Sequence, residues 1–132
     1  MSLAGPGRRN LRLALWVAVG AYLATIFALS SMSAPLPALT SRVSDKVLHA
    51  VEYGGLGLLL SAALRLSGRS PGRAAALGLL LASLYGASDE LHQAFVPNRD
   101  CSGWDWLADT AGAALGALAA WRIRLPPPQP PA

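Results

Sequence analysis

Four long apolar segments separated by polar turns constrain this chain more than any other feature. The first, residues 13–31, contains no charge; the others span residues 46–64, lie within residues 70–96, and span residues 105–121. About 20 residues in a helix, at 1.5 Å each, cross a hydrocarbon core of about 30 Å. Because an open strand cannot satisfy its backbone in lipid, we predict helices. The expected fold is all-α, an integral membrane bundle of four transmembrane helices.

The composition supports a membrane protein and excludes several other classes. Of the 132 residues, 53% are hydrophobic and 14% are charged. Soluble domains carry about 25% charged residues, so neither a soluble enzyme nor a disordered chain is expected. The net charge of +4 does not form a basic stripe with aromatic residues, so we expect no nucleic-acid partner. The single cysteine, Cys101, excludes an intrachain disulfide.

The basic residues predict the orientation of the bundle. Eight lie on one side and three on the other: Arg8, Arg9, Arg12, Arg65, Arg69, Arg73, Arg122 and Arg124 against Arg42, Lys46 and Arg99. The positive-inside rule then places both termini in the cytoplasm. We expect a basic cytoplasmic N-terminus over residues 1–12, a membrane domain over 13–122 and a Pro-rich disordered tail over 123–132.

The first apolar segment has a second interpretation, as a signal peptide. Basic residues precede it, and small residues follow it over residues 31–34. Its apolar run is longer than the 7–15 residues typical of a signal core. We therefore predict a retained helix.

The acidic residues all fall on the side opposite the arginine-rich loops. They are Asp45, Glu52, Asp89, Glu90, Asp100, Asp105 and Asp109. A charge in the membrane centre costs on the order of 3 kcal/mol, and less near the interface. We therefore expect the acids that lie inside helices to share a protein-lined or wet cavity near the outer face.

Helical spacing groups these polar residues into faces. Asp45, His49 and Glu52 follow i, i+4 and i+7 and share one face of the second long helix. On the third, Gln93 is three residues after Glu90 and four after Asp89, so it neighbours both on the helix surface.

The fourth segment combines acids with small residues. Asp105, Asp109, Gly112 and Gly116 form one stripe, and glycines four residues apart let another helix approach closely. The acidic stripe should therefore face the bundle. Ser102 and Asp105 fit a capping box at the start of this helix.

Three ordered motifs with similar spacing carry a resemblance to a known family. The first is Asp45-Lys46-x-x-His49-x-x-Glu52-Tyr53-x-x-Leu56-Gly57, the second is Tyr85-x-x-x-Asp89-Glu90-x-x-Gln93-x-Phe95-Val96-Pro97-x-Arg99, and the third is Asp105-x-x-x-Asp109-x-x-Gly112-x-x-x-Gly116. Together they resemble the VanZ-like family of small bacterial membrane proteins. The family pattern often has asparagine at the position of Asp109 and glycine at that of Asn98.

The resemblance implies a multi-pass protein of the bacterial inner (cytoplasmic) membrane with a role in the cell envelope. The founding member of the family is linked to resistance to the glycopeptide antibiotic teicoplanin. Partners expected on this basis are membrane lipids and either a lipid-linked envelope precursor or a glycopeptide. The resemblance does not supply a mechanism.

The candidate site residues fall into two groups. Candidates for acid–base catalysis are Glu52, Glu90 and His49. Candidates for ligand binding are Asp45, Lys46, Tyr53, Asp89, Gln93, Arg99, Asp105 and Asp109. Several have structural alternatives. Lys46 could extend to the interface, Tyr53 could be an interfacial aromatic, and Arg99 could either clamp an anion or neutralise Glu90 or Asp105.

Three classes of function remain open. The protein could be an enzyme acting on an envelope lipid, a non-catalytic binding protein, or an accessory membrane protein whose polar network holds the bundle together. A divalent metal held by Asp, Glu and His is one option for the enzyme, but no compact metal motif is present and no metal site is assigned. The sequence identifies neither a cofactor nor an oligomeric state.

Overall fold

A computed structural model describes residues 6–125 of the chain, and within them it is all-helical with no strand. Five helices follow in order: α1 (Pro6–Ser30), α2 (Pro37–Thr40), α3 (Asp45–Leu66), α4 (Pro71–Gln93) and α5 (Gly103–Arg122). The predicted helical class is confirmed, and the four long helices occupy the four apolar segments.

The helix ends do not coincide with the edges of the predicted apolar segments. Between the first two apolar segments, Pro37 begins the short helix α2, because proline fits the first turn of a helix. The helix α1 begins at Pro6, so the expected basic segment 1–12 is largely its first turns. The helix α4 ends at Gln93, four residues before Pro97, and backbone turn hydrogen bonds continue beyond it as far as Arg99. Residues 1–5, and residues 126–132 of the expected disordered tail, lie outside the described residues.

The helix α3 is the centre of the bundle and packs most extensively against α5. Glycines make this close approach possible. A Cβ at Gly112 would overlap the carbonyl oxygen of Ala50, and a Cβ at Gly116 would overlap that of Gly54. The predicted glycine seam on α5 is therefore confirmed, and its partner is α3.

The large apolar side chains lie mostly on the outside of the bundle. Val17 on α1, Leu84 on α4 and Leu115 on α5 are 72%, 59% and 69% exposed. Two helices, α1 and α3, are long and apolar enough to cross a membrane. The helices α4 and α5 are long enough, but their mean hydropathy is lower than that of α1 and α3. The acids near the end of α4 and the start of α5, together with many small side chains, lower the hydropathy of both helices.

Candidate functional site

The polar residues gather at one end of the bundle because three helices meet there. The first two turns of α3, the last turn of α4 and the first two turns of α5 share that end. They bring together Asp45, Lys46, His49 and Glu52, then Asp89, Glu90 and Gln93, then Asp105 and Asp109.

The side chain of His49 lies close to an acidic residue from each of the three helices. Its Nδ1 lies 2.8 Å from Oδ1 of Asp109 on α5 and 3.9 Å from Oε1 of Glu90 on α4. Its Nε2 lies 3.8 Å from Oδ2 of Asp45, one turn earlier on α3. All but Asp45 are buried. The predicted shared face of Asp45 and His49 is therefore present.

The carboxylates of Glu90 and Asp109 are each only half satisfied. Glu90 accepts a hydrogen bond at Oε2 from the backbone N–H of Ser102, at 2.8 Å. Its Oε1 and the Oδ2 of Asp109 are buried without a hydrogen-bond partner among the described residues. Buried polar atoms normally have a partner, so these two oxygens require an explanation.

The start of α5 uses half of the expected capping box. The hydroxyl of Ser102 accepts from the backbone N–H of Asp105 at 3.3 Å, as predicted. The reciprocal bond is absent from the described residues, because the N–H of Ser102 donates to Glu90 instead. The cap thus ties the end of α4 to the start of α5.

Lys46, and not Arg99, neutralises Asp105. The Nζ of Lys46 forms an ion pair with Oδ1 of Asp105, so Lys46 does more than extend to the interface. Within residues 6–125, no carboxylate oxygen lies within 4.0 Å of the Arg99 guanidinium. The alternative in which Arg99 pairs with Asp105 or Glu90 is therefore wrong for this conformation. The predicted Asp89–Gln93 contact is present at 3.3 Å.

A cavity of about 290 Å³ opens beside this cluster; we call it the α1–α3 cavity, and residues of α1, α2, α3 and α4 line it together with Arg99. Its wall has a polar part and an apolar part. The polar part comprises Asp45, His49, Glu52, Asp89, Gln93 and Arg99. The apolar part includes Ile26, Leu29, Leu36, Leu39 and Val51. Val51, Leu36 and Leu39 are exposed, so the cavity opens at the side of the bundle.

A second, more polar cleft of about 550 Å³ lies next to the first. Lys46, Asp105 and Asp100 line it, and Arg99 and Gln93 line both spaces. Arg99 therefore stands between the two.

Tyr53 does not occupy the position that the sequence suggests. It is fully buried in the core, with its ring centroid 6.5 Å from that of Tyr85, and it lines neither cavity. The interfacial interpretation of Tyr53 is wrong. Trp104 is 74% exposed, whereas Trp106 donates to the backbone carbonyl of Ser83 at 3.0 Å.

Sequence reasoning missed Tyr22 of α1. Its hydroxyl donates to the backbone carbonyl of Glu52 at 2.8 Å, and its ring lines the α1–α3 cavity. It fits there because Gly55 has no side chain; a Cβ at that position would overlap the Tyr22 hydroxyl. The available signal was a hydroxyl group in the middle of an otherwise apolar helix, which has to find an acceptor.

The fold and the site define a small all-helical protein with polar side chains buried at one end of an otherwise apolar bundle. The family model described as VanZ/LLP1 matches residues 8–124, and the chain belongs to this family. The resemblance read from the three motifs is thereby confirmed. No curated protein and no solved structure matches the chain. The family and the two long apolar helices are consistent with a membrane protein.

Proposed function

We propose that this protein spans the bacterial inner membrane four times and binds the head group of a lipid or lipid-linked ligand in the α1–α3 cavity. The apolar exterior supports the membrane part of the proposal. Large side chains are exposed on every long helix, including Val17, Val51, Leu84 and Leu115. Such a surface is a liability in water, but it matches hydrocarbon.

The proposed orientation places both termini in the cytoplasm. Eight basic residues lie at the end of the bundle that holds the termini and the α3–α4 loop, and three lie at the other end. This bias favours the arginine-rich end inside. The polar cluster and the α1–α3 cavity then lie near the outer face of the membrane.

The two parts of the cavity wall match the two parts of a lipid. The apolar part, formed by Ile26, Leu29 and Val51 among others, suits a hydrocarbon chain entering from the side. At the polar part, the guanidinium of Arg99 can bind a phosphate, and Glu52 can accept from a hydroxyl or amine. We therefore propose a phosphate-bearing head group that also carries a hydroxyl or amino group.

The observation that carries this proposal is that Arg99 and Glu52 line one cavity and have no ion-pair partner in the described part of the chain. Within residues 6–125, neither side chain makes an ion pair within 4.0 Å, and no hydrogen bond involves the Glu52 carboxylate. Charged groups at membrane depth are costly when they are left alone. A ligand that pairs with both would remove that cost.

A structural role is the second candidate, and a different set of contacts favours it. Lys46–Asp105, His49–Asp109 and the bond from Ser102 to Glu90 join α3, α4 and α5. Such a network can specify packing without binding anything. The network does not include Arg99 or Glu52. Variants of these two residues therefore distinguish the structural role from ligand binding.

Binding of a fluorescent phosphatidylethanolamine to the purified chain in detergent tests the proposal. We expect saturable binding that phosphate-bearing lipids displace and that diacylglycerol, which has no phosphate, does not. Arg99→Gln should weaken binding about tenfold or more, because a hydrogen bond to a charged group contributes about 1.5–3 kcal/mol. Arg42→Gln is the matched control, since Arg42 lies at the same end and lines neither cavity.

Three results would count against the proposal. If diacylglycerol bound equally well, the phosphate would not be needed for recognition, and that part of the proposal would be wrong. Wild-type affinity in both Arg99→Gln and Glu52→Gln would favour the structural candidate. Saturable binding of teicoplanin, with no displacement by lipids, would identify a glycopeptide as the ligand in place of a lipid.

A further inference from the structure

We propose that His49, Glu90 and Asp109 form a binding site for one divalent transition-metal ion. Each residue comes from a different long helix, and each is at least nine-tenths buried. One ligating atom from each lies within 4.8 Å of the others. This inference does not depend on lipid binding.

The unsatisfied oxygens are the independent observation that points to an ion. Oε1 of Glu90 faces the cluster, 3.9 Å from Nδ1 of His49, and has no hydrogen-bond partner among the described residues. Oδ2 of Asp109 is also buried and without a partner there. Leaving a buried acceptor of this kind unpaired is unfavourable, and more so when the group is charged. Oε1 of Glu90 is therefore an unpaired buried carboxylate oxygen beside the His49 imidazole, and Asp109 approaches the same imidazole through Oδ1, which together form the ligand set of a cation.

The nearby basic side chains do not remove the need for a cation. Lys46 is engaged by Asp105, which faces the second cleft. Arg99 lies within 4.0 Å of no carboxylate oxygen in residues 6–125. The competing account is a protonated His49 that neutralises part of the charge by itself, and the test below distinguishes the two.

The ligand chemistry favours a transition metal over Ca²⁺ or Mg²⁺. One imidazole nitrogen with two carboxylates is a set that Zn²⁺, Mn²⁺ or Fe²⁺ accepts, whereas the hard cations prefer oxygen ligands alone. Tetrahedral zinc with ligands at about 2.0–2.1 Å places them about 3.3 Å apart. The observed 2.8 Å and 3.9 Å separations around Nδ1 each lie within about half an ångström of that distance.

Three protein ligands would leave at least one coordination position open. In zinc proteins that arrangement is typical of catalytic sites, and closed sites with four protein ligands are typical of structural ones. His49 is also part of the wall of the α1–α3 cavity. An ion held here therefore lies beside the cavity.

Titration of the EDTA-treated full-length chain with Zn²⁺, Mn²⁺ and Co²⁺ tests the site. The chain should carry Cys101→Ser, because Cys101 is an exposed thiol that binds metal by itself. We expect one ion per chain by elemental analysis, d–d absorption with Co²⁺, and a raised unfolding temperature. Glu90→Gln and Asp109→Asn should each weaken binding at least about tenfold, since loss of an outer-shell partner alone already costs that much.

Two control variants should bind as the parent does. Asp100→Asn changes an exposed acid, and His92→Gln changes a histidine that contacts Ser31 and stacks on Phe27 away from the cluster. Asp45→Asn separates this site from a neighbouring trio of Asp45, His49 and Asp105. Loss of binding in Asp45→Asn with retention in Glu90→Gln would overturn the proposal.

Failure to bind any of the three metals would also overturn the proposal and would favour the protonated histidine. If Glu90→Gln and Asp109→Asn do not fold, X-ray absorption of the zinc-loaded parent and of Asp45→Asn decides the question. A nitrogen and oxygen shell with one imidazole in both proteins supports the site, whereas two imidazoles, or loss of the shell in Asp45→Asn, contradict it. Lipid binding is tested separately with the Arg99→Gln variant. The metal proposal and the lipid proposal can therefore fail independently of each other.

Discussion

His49 on α3 and Asp109 on α5 face each other across the most closely packed helix interface, with Nδ1 2.8 Å from Oδ1. The glycine seam begins one turn further along α5, where Gly112 lies against the carbonyl of Ala50. The polar contact and the seam are therefore two parts of one interface. Any change that separates α3 from α5 should disturb both.

Gly116→Leu should destabilise the bundle. The added side chain would overlap the backbone of Gly54, and overpacking of this kind costs about 1–3 kcal/mol or more. Gly20→Leu is the matched control, because nothing lies within 4 Å of a Cβ at that position. Thermal unfolding in detergent measures both variants. Equal unfolding temperatures for Gly116→Leu and the parent would show that the seam is not as close as described.

Lys46→Met should lower stability by about 1 kcal/mol. Lys46 is half exposed, so its ion pair is screened by solvent, but the change leaves the buried Asp105 carboxylate without its cation. A double-mutant cycle with Asp105→Asn should give a coupling free energy of about 0.5–1 kcal/mol. Arg42→Met, a change of an exposed cation at the same end, should have no effect. A coupling free energy of zero would mean that the Lys46–Asp105 ion pair does not stabilise the folded protein.

Ser102→Ala should cost about 1 kcal/mol, because it removes the hydroxyl that accepts from the N–H of Asp105. Ser102→Thr keeps a hydroxyl and should unfold close to wild type. The backbone N–H of Ser102 stays in both variants, so its bond to Glu90 should persist. Chemical unfolding of the three proteins checks the order. An alanine variant as stable as the threonine variant would contradict the role of the cap.

Labelling of Cys101 with a membrane-impermeant maleimide tests the proposed orientation. Cys101 is the one cysteine of the chain and is exposed in the loop before α5. We expect labelling in intact spheroplasts. Ser70→Cys in a Cys101→Ser background places the thiol at the arginine-rich end and should react only after permeabilisation. The reverse pattern would place the polar cluster on the cytoplasmic side.

Much of the architecture follows from spacing that is visible in the sequence. The apolar segments predict the four long helices, and the i, i+4 pattern of Gly112 and Gly116 predicts the seam. Asp45 and His49 lie on one helix, so their proximity needs only the helical repeat. Features local to one helix were therefore predictable.

Contacts between helices were not predictable in the same way. Lys46 and Arg99 have the same charge, and the sequence does not indicate which of them reaches Asp105; in the structure it is Lys46 on α3. Tyr53 resembles an interfacial aromatic in the sequence, but its helix face points into the core. The backbone of Asn98 was not predictable either: its φ of 62° lies in the left-handed region, which asparagine adopts more readily than most residues other than glycine.

Photo-crosslinking with a diazirine-bearing phosphatidylethanolamine tests the central claim most directly, because it locates the lipid on the chain. The label belongs on the acyl chain close to the head group, and mass spectrometry identifies the modified residues. We expect the strongest labelling around Ile26, Leu29 and Val51, which line the α1–α3 cavity, and a loss of that labelling in Arg99→Gln. Labelling spread evenly over the exposed apolar residues of α1, α4 and α5, and unchanged in Arg99→Gln, would contradict the account.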